Sequence, residues 1–191
     1  LPAATLLTLP NLLYDTIGFT PNPWLLHMLS DTVGFSPETA IYRINLADAL
    51  IAGGRVPEGL EQFEAAHRLE PDLPESHRGL GEIALQRGDA AAAEREFRTA
   101  TKGREPSARA ANFLGYLLAR RGDYRGAAAS YANAVRLDSS LADAHRSLGL
   151  LYAHRLGDTA QAVRHLEASL ALDPRQAGGD DLRRLLRELR R

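Results

Sequence analysis

The apolar residues of this chain recur at the spacing of a helix. In residues 108–120, for example, the apolar side chains fall at intervals of three and four residues, at Ala111, Leu114, Leu117 and Leu118. A half-buried strand would instead alternate apolar and polar residues along its length. The spacing therefore predicts α-helices, and no strands, from about residue 40 to residue 174.

The helical pattern repeats every 34 residues. The pair Leu80–Gly81 returns as Leu114–Gly115 and again as Leu148–Gly149, and Leu46–Ala47 lies one step upstream. A small residue at the second place of the pair lets two helices approach closely. A fixed period of this length indicates a helical repeat array, in which each unit buries its apolar face against its neighbours.

Other positions recur in the same register. A glycine that can end the first helix of each repeat follows at Gly54, Gly88, Gly122 and Gly157. The last of these comes one residue late, which predicts a one-residue insertion near Arg155–Leu156. An aspartate follows three of these glycines and is expected to cap the next helix, at Asp89, Asp123 and Asp158. A large side chain that fills the space between units recurs at Phe63, Phe97, Tyr131 and Leu166.

Taken together, these positions resemble the tetratricopeptide repeat (TPR) over about residues 40–174. The resemblance implies an all-α, right-handed superhelical solenoid of four TPR helix hairpins, with an N-terminal helical segment and a C-terminal capping helix. The boundaries expected are 1–37 for the N-terminal segment, about 40–73, 74–107, 108–141 and 142–175 for the repeats within 38–177, and 178–191 for the capping helix.

The N-terminal segment contains a shorter repetition of its own. Residues 15–21 recur sixteen residues later as residues 31–37, and each copy ends a stretch of apolar residues. The first interpretation is a cap in which Phe19, Trp24 and Phe35 cover the exposed end of the array. The second is a docking arm that enters a groove of the same chain or of a second copy. A membrane-proximal or linker segment is a third.

The C-terminal residues predict one more amphipathic helix. It would begin at Asp180–Asp181 and place Leu182, Leu185, Leu186 and Leu189 on one face. The acidic start and basic end both suit the helix macrodipole. Its arginines are interpreted as a solvated face, with binding to an anionic surface as the alternative.

The resemblance also implies where a partner would bind. In TPR arrays the first helix of each repeat lines a concave face, and the candidate binding residues on it are Arg78, Glu82, Arg109, Asn112, Tyr116, Arg146 and Leu150. A row of arginines beside an asparagine could hold an extended peptide that carries an acidic group. The alternative is that nearby carboxylates, Glu75, Glu82 and Asp143, pair with these arginines within the chain.

Two features of the first repeat refine this expectation. Some TPR proteins hold the C-terminal carboxylate of chaperones with a Lys/Asn clamp, but here Ile44 and Asp48 occupy the places of the first Lys and its Asn, so chaperone-tail binding is not predicted. The inner positions Ile41, Ile44 and Ile51 are apolar, which favours covering by the N-terminal segment.

Composition narrows the function further. The net charge is −1 and the chain has no cysteine, which argues against a nucleic-acid partner and excludes thiolate chemistry. The six histidines do not form a zincin motif, and no phosphate-binding loop or nucleophile motif is present. We therefore predict no enzyme activity, no cofactor and no metal site. No signal peptide or membrane span is visible, and the compartment, cytoplasmic or periplasmic, stays open.

The function expected is non-catalytic binding of a protein or peptide in the concave face, as a scaffold or adaptor. Two alternatives remain. The chain could be the repeat region of a larger enzyme or assembly, membrane-anchored or not. It could also self-associate as a homo-oligomer through its N-terminal segment.

Overall fold

The computed structural model describes residues 39–102 and 105–191. The predicted N-terminal segment, with Phe19, Trp24 and Phe35, lies outside these residues. Within them the chain is helical throughout and contains no strand, which confirms the all-α prediction. The chain divides into two compact units, Leu1–Arg87 and Gly88–Arg191. Each unit is built from packed helices.

Three helices of the first unit are described: α1 (Ala40–Ala52), α2 (Val56–Leu69) and α3 (Pro74–Gln86). Helix α2 packs against both α1 and α3, and α1 also contacts α3. The core between them contains Ile44, Phe63 and Ile83, each no more than 4% exposed. Ile51 packs against the same core. The apolar inner positions Ile44 and Ile51 are therefore used by packing within this unit.

The second unit contains α4 (Ala90–Ala100), α5 (Ala108–Arg120), α6 (Tyr124–Leu137), α7 (Ala142–Leu151), a π-helical turn (Tyr152–Leu156), α8 (Thr159–Leu172) and α9 (Gly179–Leu189). Helix α5 packs against α6 and α7 packs against α8, so each pair forms an antiparallel hairpin. Helix α7 also contacts both α5 and α6. Each hairpin thereby buries its apolar face against the next.

The glycines of the repeated Leu-Gly pair in the second unit lie where two helices are in close contact. A Cβ added at Gly115 would lie 2.6 Å from the ring of Tyr131 on α6. A Cβ added at Gly149 would lie 2.8 Å from the side chain of Leu166 on α8. Real Cβ atoms do not approach that closely, so the predicted role of a small residue here is confirmed at both positions.

The glycine that follows each first helix has a left-handed conformation, as predicted. Gly54, Gly88, Gly122 and Gly157 have φ between +71° and +88°. After α5, the N–H of Asp123 donates to the carbonyl of Leu118 at 2.9 Å, and that of Gly122 donates to Ala119 at 3.0 Å. This is a Schellman ending, and glycine takes the left-handed position without strain.

The three predicted aspartate caps are confirmed. The carboxylates of Asp89, Asp123 and Asp158 accept from the backbone N–H three residues further on, at 2.9, 2.9 and 3.0 Å. Each bond satisfies a helix N–H that would otherwise have no partner in the helix.

Replacing Asp123 by alanine should therefore lower the free energy of unfolding of the second unit by about 1 kcal/mol, because the first turn of α6 loses its cap. Asp123→Asn is the control, since its side-chain oxygen can still accept the bond. Urea unfolding of the two variants measures the difference. Equal losses in both would contradict the assignment.

The predicted one-residue insertion takes the form of the π turn. Between Tyr152 and Leu156 the backbone bonds span five residues, and the N–H of Gly157 donates to the carbonyl of Tyr152 at 2.8 Å. A π turn accommodates one extra residue without ending the helix. The late Gly157 therefore still closes the first helix of its hairpin in the left-handed conformation.

The C-terminal helix α9 covers α8 with its leucines, as predicted. Leu182 and Leu186 are buried with Leu166 in one cluster. Two of its arginines and the C-cap residue form ion pairs: Arg183 with Asp180, Arg184 with Asp181, and Arg190 with Glu167. These pairs support the interpretation of a solvated charged face. Among the helices of residues 39–102 and 105–191, none combines the length and apolarity that a membrane crossing needs.

Candidate functional site

The candidate Arg78 lies in the first unit and is only 1% exposed. Its guanidinium donates to both carboxylate oxygens of Asp48 on α1, at 3.0 and 3.1 Å. It also bonds to Glu75 and Glu82 on its own helix, and it lies over the ring of Phe63, 4.9 Å from the centroid. Arg78 therefore links α3 to α1 and packs on α2.

Three carboxylates surround this single guanidinium. Burial by itself would lower the pKa of Arg78, but the charges of Asp48, Glu75 and Glu82 hold it well above its usual value. The guanidinium is thus charged at any working pH, and its donors are used by the chain itself. Of the two interpretations of Arg78, internal pairing is the one that its geometry supports. The candidate Glu82 is one of its partners, with a side chain 15% exposed.

In the second unit, Asn112 and Tyr116 lie one turn apart on the same face of α5. Tyr116 is 45% exposed, and its ring lies 5.7 Å from the guanidinium carbon of Arg120. Oδ1 of Asn112 is buried and has no hydrogen-bond partner among the described residues. A buried acceptor without a donor is costly. This face therefore presents an exposed aromatic ring, and an amide oxygen without a partner is enclosed one turn away.

Tyr131 supports this face from α6. Its ring packs on Gly115, and its hydroxyl forms a hydrogen bond with Ser147 on α7. The pKa of Tyr131 is raised, mainly because the hydroxyl is buried. The nearby Tyr116 also raises it, and the bond to Ser147 opposes the shift. Tyr131 on α6 thus contacts both α5 and α7.

The remaining candidates of the second unit have other roles. Arg146 donates to Asp143 at 2.7 Å and to the carbonyl of Ala177 at 3.4 Å. Leu150 packs against the leucine cluster between α8 and α9. Arg109 lies partly buried at the start of α5. The structure brings Asn112 and Tyr116 together on one surface, while Arg146 and Leu150 are used within the fold.

Several polar contacts of the structure were not predicted from the sequence, and two of them bear on the candidate residues and on the second unit. One is the bond from Arg78 to Asp48, thirty residues away. The other joins His145 on α7 to His165 on α8, with their Nδ1 atoms 3.1 Å apart. The sequence signal for both contacts is the position of these residues within the repeat, because residues at fixed places of the repeat face each other across neighbouring helices.

Comparison with protein families supports the sequence pattern. Models described as tetratricopeptide repeat match residues 44–108 and 142–176, and one described as TPR repeat matches residues 115–154. A search of curated protein sequences found no match to this chain.

Solved structures with a similar fold are TPR proteins. A thermophilic TPR protein from Thermus thermophilus is 21% identical, with a TM-score of 0.67 and 97% of each chain covered. YrrB, described as a TPR protein with an unusual peptide-binding site, is 18% identical with a TM-score of 0.53, covering 92% of this chain and 88% of its own.

The TPR2B domain of yeast Sti1, solved in its pHsp70 complex, is 18% identical with a TM-score of 0.54. The match covers 61% of this chain and 95% of that domain. At these identities the likeness concerns the fold. With family models matching both units and the same glycines and caps in place, this chain belongs to the tetratricopeptide repeat family.

Proposed function

We propose that this chain is a non-catalytic protein-interaction module whose second unit binds an extended peptide on the face of α5 that contains Asn112 and Tyr116. The observation that carries the proposal is the pairing of an exposed aromatic ring with a buried, unused acceptor one turn away. Asn112 would turn its amide outward and accept a backbone N–H of the peptide, because its Oδ1 is enclosed in the unbound chain. Tyr116 would pack against an apolar or aromatic side chain.

The free energies of hydrogen bonding and of side-chain burial favour a ligand at Asn112 and Tyr116. A buried carbonyl oxygen without a partner costs about 1–3 kcal/mol, and an amide that turns outward to a donor on a ligand recovers this. Tyrosine offers a large contact area at low entropic cost, because its side chain has only two torsions to fix. Together the two residues provide one polar contact and one apolar contact on the same helix face.

The arginines favour this ligand over an acidic one. Arg78 is held by three carboxylates, and Arg146 is held by Asp143 and a backbone carbonyl. A carboxylate on a ligand would have to displace these internal partners. Capture of an acidic group by a row of arginines remains a prediction, and these ion pairs do not favour it.

The relatives support the class of function. TPR proteins are in general non-catalytic modules that bind other proteins, and two neighbours of this fold, YrrB and the yeast Sti1 domain, are described with a peptide-binding site and a pHsp70 complex. A peptide held by a short surface of this kind is expected to bind with a Kd of about 1 µM.

The test starts from a display library of random peptides selected on the full chain. For a selected peptide, Tyr116→Ala should weaken binding by about tenfold or more, which corresponds to ~1.4 kcal/mol. The melting temperature should fall by only a few degrees, because nearly half of the side chain is exposed. Fluorescence anisotropy with the labelled peptide measures the Kd, and circular dichroism measures the melting temperature.

The matched control is Leu172→Ala. Leu172 is 42% exposed in the same unit but lies at the end of α8, away from α5. Its replacement should leave the Kd unchanged. If no peptide is selected, or if Tyr116→Ala and Leu172→Ala bind equally well, the proposed surface is wrong.

A further inference from the structure

Two histidines face each other across the hairpin of α7 and α8. Nδ1 of His145 and Nδ1 of His165 are 3.1 Å apart, and the ring centroids are 5.2 Å apart. A contact this short between two ring nitrogens requires one to be protonated and the other bare. His165 is 8% exposed, so water cannot readily replace the contact.

The contacts of the other ring nitrogens show which histidine donates the hydrogen bond between the two Nδ1 atoms. The guanidinium of Arg164 lies 3.5 Å from Nε2 of His165 and can only donate, so this nitrogen is the deprotonated one. Nδ1 of His165 therefore carries the proton, and Nδ1 of His145 accepts it. His145 also forms a hydrogen bond with the backbone of Ser139, which raises its pKa. Both imidazoles are neutral in this arrangement.

The first unit has a different pair at the same places of the repeat. Arg43 on α1 and Gln62 on α2 occupy the positions that correspond to His145 and His165, and the guanidinium of Arg43 donates to Oε1 of Gln62 at 2.9 Å. This bond joins the two helices of its hairpin in the same way. Arginine and glutamine do not titrate near neutral pH, whereas two histidines do.

No proton can be added to the histidine pair without breaking a contact. A proton on His145 would place two N–H groups against each other, and a proton on His165 would face the guanidinium of Arg164. Burial lowers the pKa of both histidines, and Arg164 lowers both further. The neighbouring His145 also lowers the pKa of His165, which falls to about 4. The other ring against His165 is Tyr152 of the π turn, stacked at 6.1 Å.

A bound metal ion explains the close approach of the two histidines less well than a hydrogen bond does. Zinc takes four ligands in structural sites and three protein ligands in catalytic sites. The described residues contain no group of three or more His, Cys, Asp or Glu side chains placed to hold a metal ion. The nearby guanidinium of Arg164 would also repel a cation.

From this geometry we infer that His145 and His165 form an acid-sensitive latch, which joins α7 to α8 at neutral pH and shifts the hairpin towards its open form when either imidazole takes up a proton. The opened form frees the ring of Tyr152 and the π turn that contains it. The hairpin of α1 and α2 lacks this response, because Arg43 and Gln62 keep their bond as the pH falls.

The direction of the pH effect follows from linkage. An imidazole that titrates at 6.5 in the open form and at about 4 in the closed form binds more protons when open throughout that window. Stability is therefore full above pH 6.5 and is lost as the pH falls towards 4. For His165 alone, the equilibrium constant for opening should rise by about 20-fold between pH 7 and pH 5.

Amide hydrogen exchange of the full chain tests the latch. After correction for the intrinsic pH dependence of exchange, amides of α7 and α8 should lose protection by about 20-fold between pH 7 and pH 5. The double variant His145→Arg/His165→Gln transplants the pair from α1 and α2 and should remove most of this loss. His154→Gln, an exposed histidine of the π turn, is the control and should retain it.

An NMR titration of the imidazoles in the unmodified chain gives an independent readout if the double variant fails to fold. His165 should titrate near pH 4, with His145 below its ordinary value. The latch is refuted if both histidines titrate near 6.5. It is equally refuted if the folded double variant loses protection in acid as strongly as the unmodified chain.

Discussion

Arg78→Ala is expected to lower the free energy of unfolding of the first unit by about 3–5 kcal/mol, the loss typical of a buried charge pair that has lost one partner. Three carboxylates would be left around an empty position, and the guanidinium contact with Phe63 would be lost. The ion pair that joins α3 to α1 through Asp48 would be lost as well. Hydrogen exchange of α1 and α3 amides, or urea unfolding, measures the effect.

Arg87→Ala is the matched control in the same unit. Arg87 pairs with Glu64 at 3.0 Å, but its side chain is 70% exposed. An exposed pair contributes about 0–1 kcal/mol, because water and salt screen it. A loss of less than 1 kcal/mol in Arg78→Ala, similar to that of the control, would mean that the buried cluster adds little to stability.

Gly149→Val is expected to destabilise the second unit by roughly 3 kcal/mol, at the upper end of what overpacking costs. A Cβ at Gly149 would lie 2.8 Å from the side chain of Leu166 and 3.0 Å from its backbone nitrogen. The side chain could move, but the backbone of α8 could not without shifting the helix. The two added methyl groups make the clash worse. Thermal and urea unfolding measure the loss.

Ala132→Val provides the comparison. Ala132 is exposed on α6, so the substitution tests helix propensity without a clash and should cost less than about 0.7 kcal/mol. Similar losses at both positions would show that α7 and α8 have room to move apart. The repeated glycine would then not be required for their close approach.

Features that depend on a few neighbouring residues could be predicted from the sequence. The caps at Asp89, Asp123 and Asp158 and the left-handed glycines satisfy backbone groups within five residues of themselves. The extra residue before Gly157 could be recognised because the other repeats give the expected spacing of 34 residues. Its form, a π turn rather than a longer loop, depends on packing that the sequence pattern does not specify.

The burial and pairing of Arg78 could be predicted only in part from the sequence. Its spacing to Glu75 and Glu82 indicated internal pairing as an alternative, since residues three and four apart share a helix face. The contact with Asp48 could not be derived, because it joins residues thirty positions apart on different helices. Arginine is seldom fully buried, so a surface position was the natural expectation.

The contact between His145 and His165 could not be predicted from the sequence for a related reason. His145 and His165 are twenty residues apart, and the π turn between them changes the rotation of the chain. The comparison that identifies the pair is with Arg43 and Gln62, which hold the same places in the first hairpin. Asn112 and Tyr116 were expected on one surface because the resemblance to TPR arrays implies it, whereas the unpaired oxygen of Asn112 became visible only in the structure.

The π turn has a consequence for any exchange of repeats between chains. Because the surplus residue is absorbed before Gly157, counting 34 residues onward from α5 and α6 misassigns every residue of α8 by one. A splice placed by that count would put His165 where Leu166 belongs, against Gly149. Segments grafted into α8 should therefore be aligned onward from Gly157, whereas α7 should be aligned on Gly149.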